Sequence, residues 1–464
     1  MALDIVIMAA GKGTRMKSAL PKVLHRLAGL SLLEHVLRSA STLHAQRIVA
    51  VTGHGAEQVE AAVAAPNLQF VRQTPQLGTG HAVQQAAPLL HDEGVTLILN
   101  GDVPLIEPDT MRALVDACAG RHLALLTIVL PDPSGYGRVV RSGDPVGGTI
   151  EGIVEHKDAT PAQRRIREVY TGVMAAPTAA LKRWLAALTN HNVAGEYYLT
   201  DVVAMAVREH VGVVATHAHD EAEVLGVNSP LQLADLERRY QRRLAERLME
   251  AGVRLADPAR LDIRGELVCG QDVEIDVNCV FEGRVELGDG ARVSANCVIR
   301  NARIEAGAVI HPFTHMDGEA AGVRIGPRAL VGPFARLRPG ADLGEEVHIG
   351  NFVEVKNSTL ARGAKANHLA YLGDATVGEK VNYGAGSITA NYDGANKHRT
   401  VIGANVHVGS NCVLVAPLTI GAGATIGAGS TLSKDAPAGQ LTVARAKPVS
   451  LPGWTRPVKA PKAD

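Results

Sequence analysis

Between Ala9 and Lys22 the chain reads Ala9-Ala10-Gly11-Lys12-Gly13-Thr14-Arg15-Met16 and then Pro21-Lys22, directly after an apolar run. Glycines there let backbone N–H groups approach a phosphate closely, and Lys12, Arg15 and Lys22 would neutralise its charge. The glycine spacing is neither that of a P-loop nor of a dinucleotide fingerprint, since Met16 stands where the third glycine would fall. Asp102, in Asn100-Gly101-Asp102-Val103-Pro104, follows a second apolar run. A carboxylate at such a strand end can hold Mg²⁺ against a triphosphate, the remaining ligands being phosphate oxygens and water. Taken alone, a plain tight turn explains the glycines equally well and a turn aspartate explains Asp102 better; their combination points to phosphate chemistry.

A second group lies far downstream: Glu354 and Lys356, then His368 and Tyr371. Neutral histidine is suited to taking a proton from an ammonium group near pH 7, as transfer of an acyl group from a thioester to an amine requires. A lone histidine is more often a surface residue. Here the surrounding text is periodic in hexapeptides, and positions 354 and 371 are about one coil of three hexapeptides apart.

The elements that must position these groups differ in kind. In residues 1–228 short apolar runs, Ile5–Ala10, Arg47–Thr52, Thr96–Asn100 and Leu123–Val129, alternate with helix-like stretches such as Leu32–Leu43. That alternation predicts an α/β domain, a mostly parallel, Rossmann-like sheet covered by helices. Residues 229–252 predict one helix, capped by Ser229, with Leu233, Leu236, Tyr240, Leu244 and Leu248 on one face and Gly252 at its end. Its arginine-rich opposite face is expected to be the solvated side of a linker.

In 253–445 the aliphatic residues recur every six positions: Ile402, Val408, Leu414, Ile420, Ile426 and Leu432, with Leu287, Val293, Ile299 and Leu343, Ile349, Val355 in the same step. Neither a helix nor an alternating strand has that period. A parallel β-helix does, three hexapeptides making one coil, and small residues turning the corners. Breaks at 311–325 and 389–400 predict projecting loops. Residues 446–464 form a basic, proline-rich tail, Arg456 to Lys462.

With 464 residues, more than one hydrophobic core is expected. The 47 basic and 47 acidic side chains give no positive excess for a nucleic-acid partner. No apolar run approaches a membrane span, and the N-terminus lacks the basic region of a signal peptide. Five scattered cysteines without metal-ligand spacing predict reduced thiols in a cytoplasmic protein.

The N-terminal glycine-rich segment resembles that of sugar-nucleotide pyrophosphorylases. So do Gln73 with Gln76-Leu-Gly-Thr-Gly-His-Ala82, Gly135-Tyr-Gly-Arg138, Gly152-Ile-Val-Glu-His-Lys-Asp158 and Gly195-Glu-Tyr-Tyr-Leu-Thr-Asp201. Together with the hexapeptides, the chain resembles, nearly end to end, the bacterial bifunctional N-acetylglucosamine-1-phosphate uridylyltransferase/glucosamine-1-phosphate acetyltransferase family. The resemblance implies a left-handed β-helix and two sites.

For uridylyl transfer, Ala10, Gly11, Gln73, Gly78 and Thr79 would hold UTP, while Gly137 and Glu155 face the sugar. Asp102 and Asn228 would bind Mg²⁺, and Arg15 and Lys22 would stabilise the phosphates. Asn100, Gly101 and Tyr170 belong to the same site. Asn100 and Tyr170 depart from the family pattern, which has tyrosine and asparagine respectively at these places.

For acetyl transfer, His368 would be the general base with Glu354 orienting or polarising it. Arg338, Lys356, Tyr371 and Asn382 would hold the sugar phosphate. Ala385, Asn391, Tyr392, Ser410, Ala428 and Arg445 would meet acetyl-CoA, Ser410 also adding to the oxyanion environment. The resemblance further implies a homotrimer with sites between prisms, reached by the Asn391–Lys397 loop.

Two other readings compete. One is a nucleotidyltransferase whose β-helix only oligomerises; the other is a non-catalytic sugar-nucleotide sensor. The Glu354, Lys356, His368 and Tyr371 group argues against the first, and Asp102 with His368 against the second.

Overall fold

A computed structural model describes residues 2–144 and 147–458. Lys459 and Lys462 of the basic tail lie outside the described residues. The chain divides into two compact units, Met1–Arg243 and Leu244–Asp464.

The first unit is a nine-stranded sheet. Its strands are β1 (Leu3–Met8), β2 (Arg47–Thr52), β3 (Leu68–Arg72), β4 (Val95–Asn100), β5 (Leu123–Val129), β6 (Gly137–Arg141), β7 (Ile150–Val154), β8 (Glu168–Pro177) and β9 (Val213–His217). The main path runs β9-β5-β8-β4-β1-β2-β3. Central β1 is parallel to β2 and β4. Both faces are buried: Ile5, Ile7, Leu97 and Leu99 enter one core, while Val6, Val49 and Ile98 enter another. This is why these strands read as continuous apolar runs rather than alternating ones. The expected strand 47–52 and strand 123–129 are found with those limits. The sheet is not wholly parallel, because β8 runs antiparallel between β4 and β5 and carries the antiparallel β6–β7 pair on its first residues. Helix α1 (Leu32–Ser41) begins with a capping box, Ser31 and Glu34 each holding the other's backbone N–H.

Helix α2 (Pro230–Glu250) follows the expected pattern. The Ser229 hydroxyl accepts the Gln232 N–H at 3.3 Å, and Gly252 leaves the helix at φ +97°. On its arginine-rich face Arg238, Arg239, Arg242 and Arg247 are exposed, while half-buried Arg243 bridges Glu107 and Asp220, the latter at 2.9 Å. No described helix is long and apolar enough to cross a membrane.

The second unit is a left-handed parallel β-helix. One eleven-stranded sheet stacks parallel strands along a side of the coil. Its inward ladder runs Ile275, Val293, Ile310, Val331, Ile349, Ala366, Tyr383, Val408 and Ile426, all buried. The steps are 17 or 18 residues, except 21 into Val331 and 25 into Val408, where the chain projects as the loops expected from the broken period. One corner carries Asn278, Asn296, Phe313, Phe334, Phe352 and Leu369, all at positive φ. Identical stacking continues in their side chains: Asn278 Nδ2 donates to Asn296 Oδ1 at 3.1 Å, and Phe334 stacks between Phe313 and Phe352 at 5.0 and 5.4 Å.

Candidate active sites

At the C-terminal edge of β1 and β4 the backbone of the glycine-rich turn meets the Asn100–Asp102 turn, Gly101 N–H donating to Met8 O at 2.9 Å. A cavity of about 330 Å³ opens there. Ala10, Gly11, Lys22, Gln73, Gly78, Thr79, Asn100 and Asp102 line it, eight of the residues singled out in the sequence. A second cavity of about 200 Å³ adjoins through Met8, Thr79 and Asn100, and Gly137, Glu155 and Tyr170 line that one. Arg15 sits in an exposed turn, Thr14–Met16, and lines neither.

Lys22 is the centre of charge. Its Nζ forms an ion pair with Asp102 and donates to Asn228 Oδ1 at 3.2 Å. The Gly13 turn makes this possible: at φ +60°, a Cβ on Gly13 would stand 2.7 Å from Lys22 Cβ. Asn228 reaches the group because Val227 N–H donates to Asp102 O at 3.0 Å.

The Gln73–Thr79 loop is braced rather than free. Buried Gln73 donates to Gly78 O at 2.9 Å, Gly80 N–H donates to Tyr197 O at 2.8 Å, and Thr79 Oγ1 accepts the Leu199 N–H at 3.1 Å. The 195–201 segment therefore holds the 76–82 segment in place. It also supplies Thr200, whose hydroxyl donates to Glu155 Oε1 at 3.0 Å. Burial raises the Glu155 carboxyl above its usual range against that hydrogen bond. The Tyr170 hydroxyl is buried with no hydrogen-bond partner among the described residues, and burial pushes the phenol well up. Such a donor is costly unless a ligand satisfies it. Thr200, Tyr136 and Glu196 were missed as lining residues, although all lie inside motifs visible in the sequence.

In the β-helix, Glu354 and Tyr371 are register partners one coil apart, and Arg336 is the partner of Glu354 on the other side. Glu354 accepts from Arg338 at 2.9 Å and Arg336 at 3.3 Å. It does not orient His368 by a hydrogen bond; the His368 ring meets Asn351 Oδ1 at 2.8 Å instead. Lys356 lies beside Lys397, whose proximity, with burial and Arg338, lowers the Lys356 ammonium below its usual range. Three cations so placed suit a phosphate. Lys397 and Asn351 were not singled out in the sequence. The hexapeptide period signalled Asn351, one 17-residue coil before His368, whereas Lys397 is delivered by a loop.

Buried Asn391 is fixed by Asp374, and Tyr392 is exposed on the loop beyond. Asn382 pairs with Lys365 and His407 along the sheet. Ala385, Ser410, Ala428 and Arg445 fall in successive coils: Asn411 N–H donates to Ala385 O, Gly429 N–H to Ser410 O, and Arg445 to Ala428 O at 2.6 Å.

The MobA-like NTP transferase domain family matches residues 5–251, and the bacterial transferase hexapeptide (six repeats) matches 399–434. A protein of Methylibium petroleiphilum named bifunctional protein GlmU is 75% identical over 98% of this chain and 99% of its own. Proteins of the same name from Polaromonas naphthalenivorans and Azoarcus sp. are 68% and 58% identical, covering 99% and 98% of this chain and 98% and 100% of theirs. The chain belongs to the bifunctional GlmU family. Like that family it is an enzyme of two activities, a glucosamine-1-phosphate acetyltransferase and an N-acetylglucosamine-1-phosphate uridylyltransferase, each unit carrying one. Of the two candidate sites, the first is drawn together by loops from several strands and the second by stacking of one coil on the next.

Proposed function

We propose that the paired N-terminal cavities bind UTP and N-acetylglucosamine-1-phosphate side by side, and that the His368 face of the β-helix first acetylates glucosamine-1-phosphate. The convergence of Lys22, Asp102 and Asn228 at the sheet edge carries this reading. Ala10, Gly11, Gln73, Gly78 and Thr79 border the nucleotide; Gly137, Glu155 and Tyr170 border the sugar. A sugar-1-phosphate oxygen attacks the α-phosphorus of UTP and pyrophosphate leaves. Lys22 and Arg15 offset the charge on the phosphates, and the braced Gln73–Thr79 loop orients the uracil. Such transfer is chiefly positioning and charge neutralisation.

Asp102 and Asn228 are suited to Mg²⁺: a carboxylate and an amide oxygen already converge on one cation, Lys22 Nζ. Mg²⁺ bound there would neutralise triphosphate charge, with phosphate and water completing its shell.

In the second unit His368 takes a proton from the substrate ammonium group. Arg338, Lys356 and Lys397 face the sugar phosphate, with Tyr371 and Asn382 beside it. Ala385, Asn391, Tyr392, Ser410, Ala428 and Arg445 border acetyl-CoA. The protein is a cytoplasmic homotrimer. Five free cysteines support the compartment. The half-exposed Phe313, Phe334, Phe352 and Leu369 beside the His368 face support a neighbouring prism.

The test supplies glucosamine-1-phosphate, acetyl-CoA, UTP and Mg²⁺ while following CoA and pyrophosphate separately. Release of both, with pyrophosphate requiring prior acetylation, is expected. Pyrophosphate from N-acetylglucosamine-1-phosphate without any CoA release would reduce the β-helix to a scaffold.

A further inference from the structure

The contact between His368 and Asn351 follows from the coil. The two are register partners on adjacent parallel strands, and the Leu369 N–H donates to Asn351 O at 3.1 Å. Each is followed by a bulky residue in the left-handed region, Phe352 at φ +57° and Leu369 at φ +48°, so both strands turn at the same level. Phe352 is pinned by its stack on Phe334. With strands about 4.8 Å apart, side chains that face alike at matched positions are within reach of one hydrogen bond. Asn351 Oδ1 and His368 Nδ1 make it at 2.8 Å.

An amide oxygen only accepts, so the ring nitrogen that faces it carries the hydrogen. In that orientation of the Asn351 amide the proton is on Nδ1 and the Nε2 lone pair is free. We infer that Asn351 is a positioning residue for acetyl transfer, fixing His368 as the Nδ1–H tautomer with Nε2 as the base. The inference rests on the reading of His368 as that base. Nε2 takes one proton from the substrate's –NH₃⁺; the amine nitrogen then bonds to the thioester carbonyl carbon and the C–S bond breaks. The second nitrogen proton goes to the departing sulfur, giving CoA thiol, and the imidazolium releases its proton to water.

An amide does this without charge. A carboxylate in the same place would favour the imidazolium, the form that cannot accept a proton. The nearby carboxylate, Glu354, is taken up by Arg336 and Arg338. The other titratable groups on the strands around His368 are His348, Lys365 and buried Tyr383 on the same side and Glu354, Lys356 and Tyr371 past the corner. None of them changes in the variants below.

The experiment uses the full chain with Asn351→Leu, Asn351→Asp and His368→Ala. It measures kcat and KM for CoA release, and ¹⁵N-histidine NMR reads the tautomer of His368. Asn351→Leu is expected to lower kcat by at least ~10-fold and by no more than the ~10²–10⁴ that base catalysis contributes, with KM for both substrates little changed. Its His368 signal should shift toward the Nε2–H form. Asn351→Asp should keep the Nδ1–H form, recover activity relative to Asn351→Leu at alkaline pH, and move the acid limb of the rate profile upward. A wild-type His368 protonated at Nε2, or a wild-type kcat in Asn351→Leu with His368→Ala inactive, would overturn the inference alone. Full activity in His368→Ala would instead remove the base reading beneath it. If Asn351→Leu fails to fold, the wild-type tautomer and the Asn351→Asp profile still decide.

Discussion

The two units assemble chemistry by opposite routes. In the α/β unit, Lys22, Asp102 and Asn228 come from segments some 80 and 126 residues apart and meet only because β1 and β4 are neighbours in the sheet. In the β-helix, Arg336, Glu354 and Tyr371 are one coil apart and meet because every coil repeats the last. A site of the first kind depends on many dissimilar loops, each braced separately. One of the second kind depends on a single repeated geometry, so that a small change in one coil is felt by its neighbours.

The largest expected effect tests bracing in the α/β unit. Glu168 holds Arg141 by two hydrogen bonds of 2.7 Å, both side chains about nine-tenths buried. Glu168→Ala leaves a buried cation unpaired and should cost about 3–5 kcal/mol, read by denaturant unfolding of the first unit. Next, Lys22→Ala should slow pyrophosphate release by about 10²–10³-fold, the range for one lost charge-stabilising donor, with CoA release unchanged. The β-helix counterpart is Gly409→Ala. A Cβ there would lie 2.4 Å from Ala428 N on the next coil, so overpacking of about 1–3 kcal/mol is expected, and CoA release should fail at a lower temperature than pyrophosphate release. Equal thermal loss of both activities would contradict the distinction between the units.

The smallest effect concerns pH. Burial raises Glu155 in the folded chain, so the folded state holds a proton that the unfolded state has lost between the ordinary glutamate range and the raised value. Stability therefore falls as pH rises through that window. Glu155→Gln should remove this fall and unfold at a slightly higher temperature at neutral pH, while weakening sugar binding. An unchanged pH dependence would show that Glu155 titrates as it does in the unfolded chain.

The same contrast governs what was legible beforehand. The hexapeptide period gave the coil, its inward ladder and both loops, because stacking repeats one geometric rule. It did not give the side-chain partners, since Glu354 could turn to His368 or to the arginines. The structure shows that Arg336 and Arg338 hold it. Lys397 was hidden because a loop, not a coil, places it. In the first unit β1, β2, β4 and β5 were visible as apolar runs, and the motifs indicated the lining residues. The antiparallel β8 was not visible: a strand buried on both faces reads the same in either direction. Asn100 and Tyr170, the two departures from the family pattern, line one cavity together, a relation sequence order alone conceals.

The central claim is that each unit carries one activity on its own residues. The direct measurement follows CoA and pyrophosphate release in parallel for Asp102→Ala and His368→Ala. Asp102→Ala should lose pyrophosphate release from N-acetylglucosamine-1-phosphate while releasing CoA at the wild-type rate, and His368→Ala should do the reverse. Loss of both activities in either variant, with the protein folded, would contradict the account.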